Sequence, residues 1–183
     1  CSSDLDGPRQ YGYGGYIYDG RWVRVAEALI NEYKLEAGMK VLDIGCAKGF
    51  LIYDLSGKCP GLEVFGLDIS SYAIRHAVKG LEGRIHLGNA KSLPFPDNSF
   101  DLVISINTIH NLPKRDIGLA LTEISRVSKK NAYIVVDSYY TKEQKSLFKK
   151  WVLTARFHGY PKDWIALFEK YDYLGDYSWT ILE

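Results

Sequence analysis

Apolar and polar positions along this chain follow two patterns that alternate with each other. In the first pattern, consecutive residues are nearly all apolar over a short run, as in KVLDI at 40–44 and DLVISI at 101–106. Strands that are buried on both faces of a parallel sheet have this composition, so these runs predict buried strands. The predicted strands span residues 40–44, 63–67, 84–87, 101–106, 132–137 and 178–182.

In the second pattern, apolar residues return at the spacing of an α-helix. The stretch 21–35 places Trp22, Leu29 and Tyr33 on one side of such a helix. Ser70 or Ser71 is a predicted N-cap, and Pro113 suits a first helical turn. The predicted helices span residues 21–35, 48–55, 70–79, 113–127, 141–157 and 164–168.

Strands that alternate with helices predict an α/β fold. We expect a doubly wound, mostly parallel Rossmann-like sheet with helices on both faces. Residues 1–20 are rich in Gly, Ser and Tyr and are predicted to form an N-terminal arm or lid, which residues 21–183 follow as a single domain. In such a sheet, ligands bind outside the carboxyl ends of the strands, near the point where the strand order reverses.

Composition narrows the classes of function. A formal net charge of +1 argues against an electrostatically driven nucleic-acid surface. No apolar run has the length of a membrane span, and no secretory signal is apparent. The 3 cysteines include no CxxC pair, so we expect no metal site and a reducing, cytoplasmic location. Because the first residue is Cys1 rather than Met, we expect a trimmed chain rather than a mature lipoprotein.

The turn after the first strand is rich in small residues, and it lies where a ligand is expected. It reads GCAKGF, with Gly45 and Gly49 around Ala47. A dinucleotide fingerprint needs a glycine at position 47 and a small residue where Phe50 stands, so that interpretation is weakened. Asp68 follows about twenty residues later at the end of the second strand, where an acid can bind two ribose hydroxyls. A nucleoside ligand is therefore expected.

Three segments together resemble the motifs of class I S-adenosylmethionine-dependent methyltransferases. They are VLDIGCAKGF at 41–50, VFGLDIS at 64–70 and GNAKSLPFPDNSFDLVIS at 88–105, in the order that the family has. The resemblance covers most of the chain from about residue 22. Members of this family usually end in a two-stranded hairpin, so it implies a short antiparallel C-terminal strand.

The resemblance also implies roles for individual residues. The methionine end of S-adenosylmethionine would be held by Asp43 and by the backbone of the turn, and Asp68 would bind the ribose. The remaining cofactor contacts that it implies come from Gly45, Cys46, Ala47 and Gly49 in the turn, Ile69, Asn89 and Ala90 around the adenine, and Ser105 and Ile106 at the methionine pocket. Asp43 could instead tie down the turn, and Asp68 could instead cap the next helix.

The loop after the fourth strand, SINTIHNLP, is the expected place for a catalytic base. His110 is the ionisable side chain in this loop, and an ordinary histidine pKa near 6.5 suits proton removal from the acceptor. A structural histidine that bonds a loop carbonyl is the alternative. Asn107 and Asn111 are predicted to orient the acceptor.

Aromatic residues near both ends of the chain supply further candidates. In the arm, Tyr16 is predicted to contact the cofactor through cation–π attraction to the sulfonium, and Tyr18 and Arg21 to contact the acceptor. The alternative is an arm that packs on the sheet edge or makes a homodimer contact. Tyr139, after the fifth strand, is predicted to line the acceptor side.

These observations predict a methyltransferase that acts on a small molecule. The expected acceptor is an oxygen, such as a hydroxyl of a sugar or secondary metabolite, without a nucleic-acid or membrane partner. Two alternatives stay open: an NAD-dependent oxidoreductase, and a non-catalytic module that binds the cofactor. The NPPY or DPPF motif of amino-methylating nucleic-acid enzymes is absent, since SINTIH stands in its place.

Overall fold

The computed structural model describes residues 17–152 and 154–182, which form a six-stranded sheet with the strand order β3-β2-β1-β4-β5-β6. All of its strand pairs are parallel, and the strand order reverses between β1 and β4. The strands are β1 Lys40–Ile44, β2 Glu63–Asp68, β3 Ile85–Leu87, β4 Phe100–Ile106, β5 Ser128–Asp137 and β6 Asp176–Thr180.

Helices connect the strands and cover both faces of the sheet, which confirms the predicted fold class. The helices are α1 Val23–Tyr33, α2 Phe50–Lys58, α3 Ser71–Arg75, α4 Lys114–Val127, α5 Lys142–Trp151 and α6 Pro161–Lys170, with a 3₁₀ turn at Ile109–Asn111. Within the described ranges, no helix combines the length and the apolar character needed to cross a bilayer.

The two faces of the sheet bury separate hydrophobic clusters. Leu42 faces the cluster that contains Ile117 of α4 and Trp164 of α6. Its neighbour Val41 faces the other cluster, which contains Leu29 of α1. Successive side chains of a strand point to opposite faces, so the apolar run of β1 supplies both clusters. This two-sided burial is the reason that the strands lack polar alternation.

The C-terminal strand corrects one prediction. It was expected to be antiparallel, but β6 runs parallel to β5, with Tyr133 opposite Asp176 and Asp137 opposite Thr180. The connection between the two strands contains α5 and α6, so the chain crosses over and re-enters the sheet from the same end as β5. The strand also begins two residues earlier than the predicted 178–182.

The boundaries of three helices differ from the prediction. The helix predicted at 141–157 ends at Trp151, although Thr141 forms the N-terminal capping box with Gln144. The helix predicted at 70–79 ends at Arg75, and Ser70 is its N-cap, as expected. The helix predicted at 164–168 instead begins at Pro161, a residue suited to the first turn.

Candidate functional site

The small-residue turn between β1 and α2 adopts the conformations for which its glycines are suited. Gly45 and Gly49 have φ of +79° and +80°, and Ala47 has φ of +48°. The backbone N–H groups of Gly45 and Cys46 both donate to Leu67 O of β2, at 2.7 and 3.2 Å. Ala47 pays a steric cost in this region that glycine would avoid, and such strain is common at functional sites. The turn therefore curls over the carboxyl end of β2.

Close packing leaves no room for side chains at the two glycines. A Cβ at Gly45 would collide with the Thr108 side chain, which follows β4. A Cβ at Gly49 would lie 2.6 Å from Leu81 Cδ1. Cys46 is buried beneath the turn, and this burial raises the pKa of its thiol well above the ordinary value. Its chemistry is that of a small packing residue, not a nucleophile.

Asp68 joins the turn to the end of β2. Its Oδ2 accepts a hydrogen bond from Ala47 N–H at 2.8 Å, and its Oδ1 accepts one from Ser70 N–H at 2.8 Å. Burial raises the pKa of Asp68, and the two backbone donors act in the opposite direction. Each carboxylate oxygen has a second lone pair, so Asp68 retains acceptors for ribose hydroxyls. The Oγ of Ser70, rather than Asp68, caps α3.

Asp43 places a second carboxyl group at the same edge of the sheet. It lies on β1 opposite Gly66 of β2 and Ile104 of β4, and it is buried. Burial, with the charge of Asp68 as a smaller cause, raises the pKa of Asp43 to about 7. A carboxyl group whose ionisation is disfavoured by a neighbouring carboxylate forms with it a site that favours a cation.

Apolar side chains lie exposed beside Asp68. Ile69 is 71% exposed, and Leu87, opposite Asp68 on β3, is 62% exposed. Asn89 turns its Oδ1 toward Lys91 N–H at 3.1 Å, and Ala90 is buried. The predictions from sequence missed Leu87, because an apolar residue at a strand end looks like core until the edge of the sheet is known. This surface suits the face of a flat apolar ring.

The end of β4 and the turn after it border the glycine turn. Ser105 is buried, and its Oγ has no hydrogen-bond partner among the described residues. Asn107 has φ of +52°, and its Oδ1 accepts from Thr180 Oγ1 at 3.0 Å. Asn111 Oδ1 accepts from Thr154 Oγ1 at 2.8 Å. Both asparagines thus tie the β4 turn to later segments, while Ile106 remains half-buried.

His110 is buried and held on both sides of its ring. Its Nδ1 accepts from Asp137 N–H at 3.3 Å, and its Nε2 lies 3.4 Å from Asp137 Oδ2. Burial lowers the pKa of His110 to about 3, and it raises the pKa of Asp137 to about 7. The ring is buried, both of its nitrogens face Asp137, and the lowered pKa makes it a weak base, so the geometry lends no support to the prediction that His110 takes a proton from an acceptor. The catalytic role of His110 stays a prediction from sequence.

The aromatic candidates lie apart from one another. Tyr139 is 2% exposed, and its hydroxyl forms a hydrogen bond with His158 Nδ1 at 3.1 Å. It is therefore a core residue in this structure. Tyr18 donates its hydroxyl to Asp54 Oδ1 at 2.6 Å. Arg21 binds Asp19 at 2.8 Å on the surface. Tyr16 lies outside the described residues, as does most of the predicted arm.

Comparison with known proteins identifies the family. The sequence pattern described as "Methyltransferase domain" matches residues 42–136, just over half of the chain. The chain belongs to this family. The match spans the glycine turn, Asp68 and His110, and it makes an NAD-dependent oxidoreductase the wrong interpretation of the turn. Methyltransferases of this class use S-adenosylmethionine.

Individual relatives agree with this assignment. The methyltransferase domain is 35% identical to a fatty-acid O-methyltransferase of Mycolicibacterium smegmatis, over 54% of this chain and 36% of the relative. It is 34% identical to the sterol 24-C-methyltransferase ERG6B of Gibberella zeae, over 63% of this chain and 31% of that relative. The chain thus spans about a third of the length of these curated relatives.

Solved structures show the same fold. The YcgJ protein of Bacillus subtilis superposes with a TM-score of 0.66 at 24% identity, covering 81% of this chain and 67% of that chain. Among the described residues, no group of three or more His, Cys, Asp or Glu side chains could hold a metal ion.

The residues at the carboxyl edge of the sheet fit the family's cofactor. The paired carboxyl groups of Asp43 and Asp68 suit a ligand that carries an ammonium and a sulfonium. The exposed side chains of Ile69 and Leu87 suit its adenine. The strained turn brings backbone close to the same edge.

Proposed function

We propose that this domain transfers a methyl group from S-adenosylmethionine to an oxygen atom of a small organic acceptor. The observation that carries the proposal is the arrangement of Asp43, Asp68 and the turn 45–49 at the switch point of the sheet. S-Adenosylmethionine, when bound, supplies a methyl group on a sulfonium that needs no further activation. The remaining work of the protein is to bind the cofactor and to orient the acceptor.

Separate residues would hold the two ends of the cofactor. Asp68 would accept the ribose hydroxyls while it keeps its bond to Ala47 N–H, and Ile69 and Leu87 would pack on the adenine. Asp43 and the turn would face the methionine end. In this arrangement the ionised form of Asp43 stabilises the cationic ligand.

Alignment of the acceptor is the main source of rate for such a transfer, with a possible contribution of about 7–11 kcal/mol. The β4 turn is rigidly tied, since Asn107 binds Thr180 and His110 binds Asp137. We assign His110 to positioning this turn rather than to proton removal. Solvent or a group on the acceptor side would then take the proton of a hydroxyl acceptor.

The acceptor atom has two candidates, and relatives support both. The fatty-acid O-methyltransferase supports oxygen, whereas the sterol 24-C-methyltransferase supports carbon. We retain oxygen as the first proposal and carbon as the second. The relatives' names favour lipid-like acceptors over the sugar predicted from sequence.

Two measurements test the proposal. Calorimetry with S-adenosylhomocysteine should show binding at micromolar to millimolar concentration. Mass spectrometry should then show one added methyl group on a member of a panel of fatty acids, sterols and hydroxylated metabolites. Failure to bind S-adenosylhomocysteine would refute the proposal, and binding without any transfer would favour the non-catalytic alternative.

A homodimer and a cytoplasmic location remain predictions from sequence. Light scattering coupled to size-exclusion chromatography would measure the mass in solution against 20.8 kDa for one chain. A mass near twice that value would support the dimer.

A further inference from the structure

Asp54 is a carboxylate buried inside the helical layer next to the glycine turn. It lies on α2 between Leu51 and Leu55, which belong to the cluster shared with α1, and it is 5% exposed. Its Oδ2 accepts no hydrogen bond from any residue in 17–152 or 154–182. A buried and partly unsatisfied carboxylate costs stability, so the polar contact that Asp54 does make calls for an explanation.

That contact comes from Tyr18. The Tyr18 hydroxyl donates to Asp54 Oδ1 at 2.6 Å, across 36 positions of sequence. A donor–acceptor distance this short is typical of a strong O–H···O hydrogen bond. The bond to Asp54 is the main cause that raises the pKa of Tyr18 to about 12, so the phenol keeps its proton and continues to donate.

The ring of Tyr18 lies against the first turns of α2. It makes edge-to-face contacts with Phe50 and Tyr53, with centroid distances of 5.6 and 5.3 Å. Phe50 directly follows Gly49, the last residue of the turn. Tyr18 is therefore fixed beside the turn by one hydrogen bond and two ring contacts, although it is 40% exposed.

The contacts of Tyr18 and the adenosine half of the cofactor site belong to different elements of the fold. The contacts of Tyr18 are with α2, which begins where the turn ends, so they lie on the methionine side. Asp68, Ile69 and Leu87 lie at the ends of β2 and β3, on the adenosine side. A substitution of Tyr18 should therefore weaken binding of the methionine end of the cofactor and leave binding of the adenosine end unchanged.

We propose that the Tyr18–Asp54 hydrogen bond positions the first turns of α2. The glycine turn that precedes this helix is thereby held in place to bind the amino-acid end of the cofactor. The proposal rests on the proposed function, because it concerns the same ligand. Tyr18 is then a positioning residue, and not a contact of the acceptor as predicted from sequence. Asp54 is retained in the apolar layer because it holds Tyr18.

Two ligands separate the two halves of the site. S-Adenosylhomocysteine has both the adenosine and the amino-acid end, whereas 5′-methylthioadenosine lacks the amino acid. Tyr18→Phe keeps the ring contacts and removes the hydrogen bond. Calorimetry should show that it weakens S-adenosylhomocysteine about tenfold, which lies in the range by which residues without ligand contact change affinity, and 5′-methylthioadenosine by less than about twofold.

Matched variants distinguish positioning from general stability. Asp54→Asn leaves an amide oxygen that can accept from Tyr18, so it should retain most of the affinity, whereas Asp54→Leu should lose it. Tyr33→Phe removes another tyrosine–aspartate bond, 2.8 Å to Asp176, at the far end of α1. This control should bind both ligands like the wild type.

The outcomes are distinct. Equal weakening of both ligands by Tyr18→Phe, or no weakening of either, would overturn the role of Tyr18 while the proposed function stands. Failure of the wild type to bind S-adenosylhomocysteine would overturn both. If Tyr18→Phe melts at a much lower temperature, Asp54→Asn and Asp54→Leu are compared instead. The role of Tyr18 is then overturned if both variants have the same ratio of S-adenosylhomocysteine affinity to 5′-methylthioadenosine affinity.

Discussion

Asp137 engages both ring nitrogens of His110, through its backbone N–H to Nδ1 at 3.3 Å and its carboxyl oxygen near Nε2 at 3.4 Å. The backbone N–H can only donate, so Nδ1 must accept and the proton of the neutral ring is on Nε2. The His110 carbonyl in turn accepts from Arg156 and Phe157 N–H, at 2.9 and 3.0 Å. His110 thereby joins the β4 turn, the end of β5 and the segment after α5.

We predict that His110 stays neutral across the working pH range. Its pKa is lowered to about 3 by burial, whereas an exposed histidine protonates near 6.5. ¹⁵N NMR should find the Nε2–H tautomer unchanged from pH 8 to pH 4. Protonation near pH 6.5 would show instead that the ring is accessible and could serve as a base.

The same shift predicts how stability depends on pH. Between about pH 3 and 6.5 the unfolded chain binds a proton at His110 that the folded chain does not, so this residue lowers stability as pH falls through that window. His110→Asn removes the effect. In urea unfolding, the stability of the wild type minus that of this variant should be larger at pH 7.5 than at pH 5. A difference that is independent of pH would contradict the burial of a neutral ring.

Cofactor affinity should rise with pH because of Asp43. Its pKa is about 7 in the free protein, and the cationic ligand favours the ionised form. S-Adenosylmethionine should therefore bind more tightly at pH 8 than at pH 6, and calorimetry in two buffers should detect proton release near pH 7. Asp43→Asn should weaken binding about tenfold and remove the pH dependence. The exposed acid Glu169, changed to Gln, serves as control.

Gly45→Ala should damage both folding and binding. The added Cβ would collide with Thr108, and φ of +79° is unfavourable for alanine, so we expect a cost of about 1–3 kcal/mol in urea unfolding. Thr108→Ala should restore part of the loss. Gly57→Ala is the matched control, since nothing lies within 4 Å of its added Cβ and alanine favours the helix. Equal behaviour of the two glycine variants would refute the close packing of the turn.

Asp68→Ala should weaken the binding of S-adenosylhomocysteine and of 5′-methylthioadenosine to a similar extent. It removes the acceptors for the ribose and the bond to Ala47 N–H, so S-adenosylhomocysteine and 5′-methylthioadenosine should each bind at least about tenfold more weakly. Calorimetry with the two ligands measures this. Asp97→Ala, an exposed acid that pairs with Arg126, should leave both affinities unchanged. Retention of 5′-methylthioadenosine binding by Asp68→Ala would place the ribose elsewhere.

Local patterns predicted most of the fold. The apolar run of β1 and the helical spacing of α1 are signals within a few neighbouring residues, and the structure confirms both. The end of α5 was predicted six residues too late, because no local signal there competes with helix propensity. Ser70 as an N-cap was readable, since a cap is also a local hydrogen bond.

Contacts between residues distant in sequence account for the features that the sequence predictions missed. The direction of β6 depends on which end of the sheet the chain re-enters after α6, and that is a property of the crossover. The tautomer of His110 depends on its hydrogen bond from Asp137, 27 positions away. Tyr18 and Asp54, like Leu87 and Asp68, meet through packing that no spacing in the sequence reveals.

The order of apolar runs, glycines and the acid at 68 was therefore enough by itself to predict an α/β fold and the edge at which its ligand is expected, because these are local conformational preferences repeated along the chain. Only the tertiary structure decided which side chains are buried and which are paired. Burial and pairing set pKa values and hydrogen-bond partners, and both depend on residues that are distant in sequence.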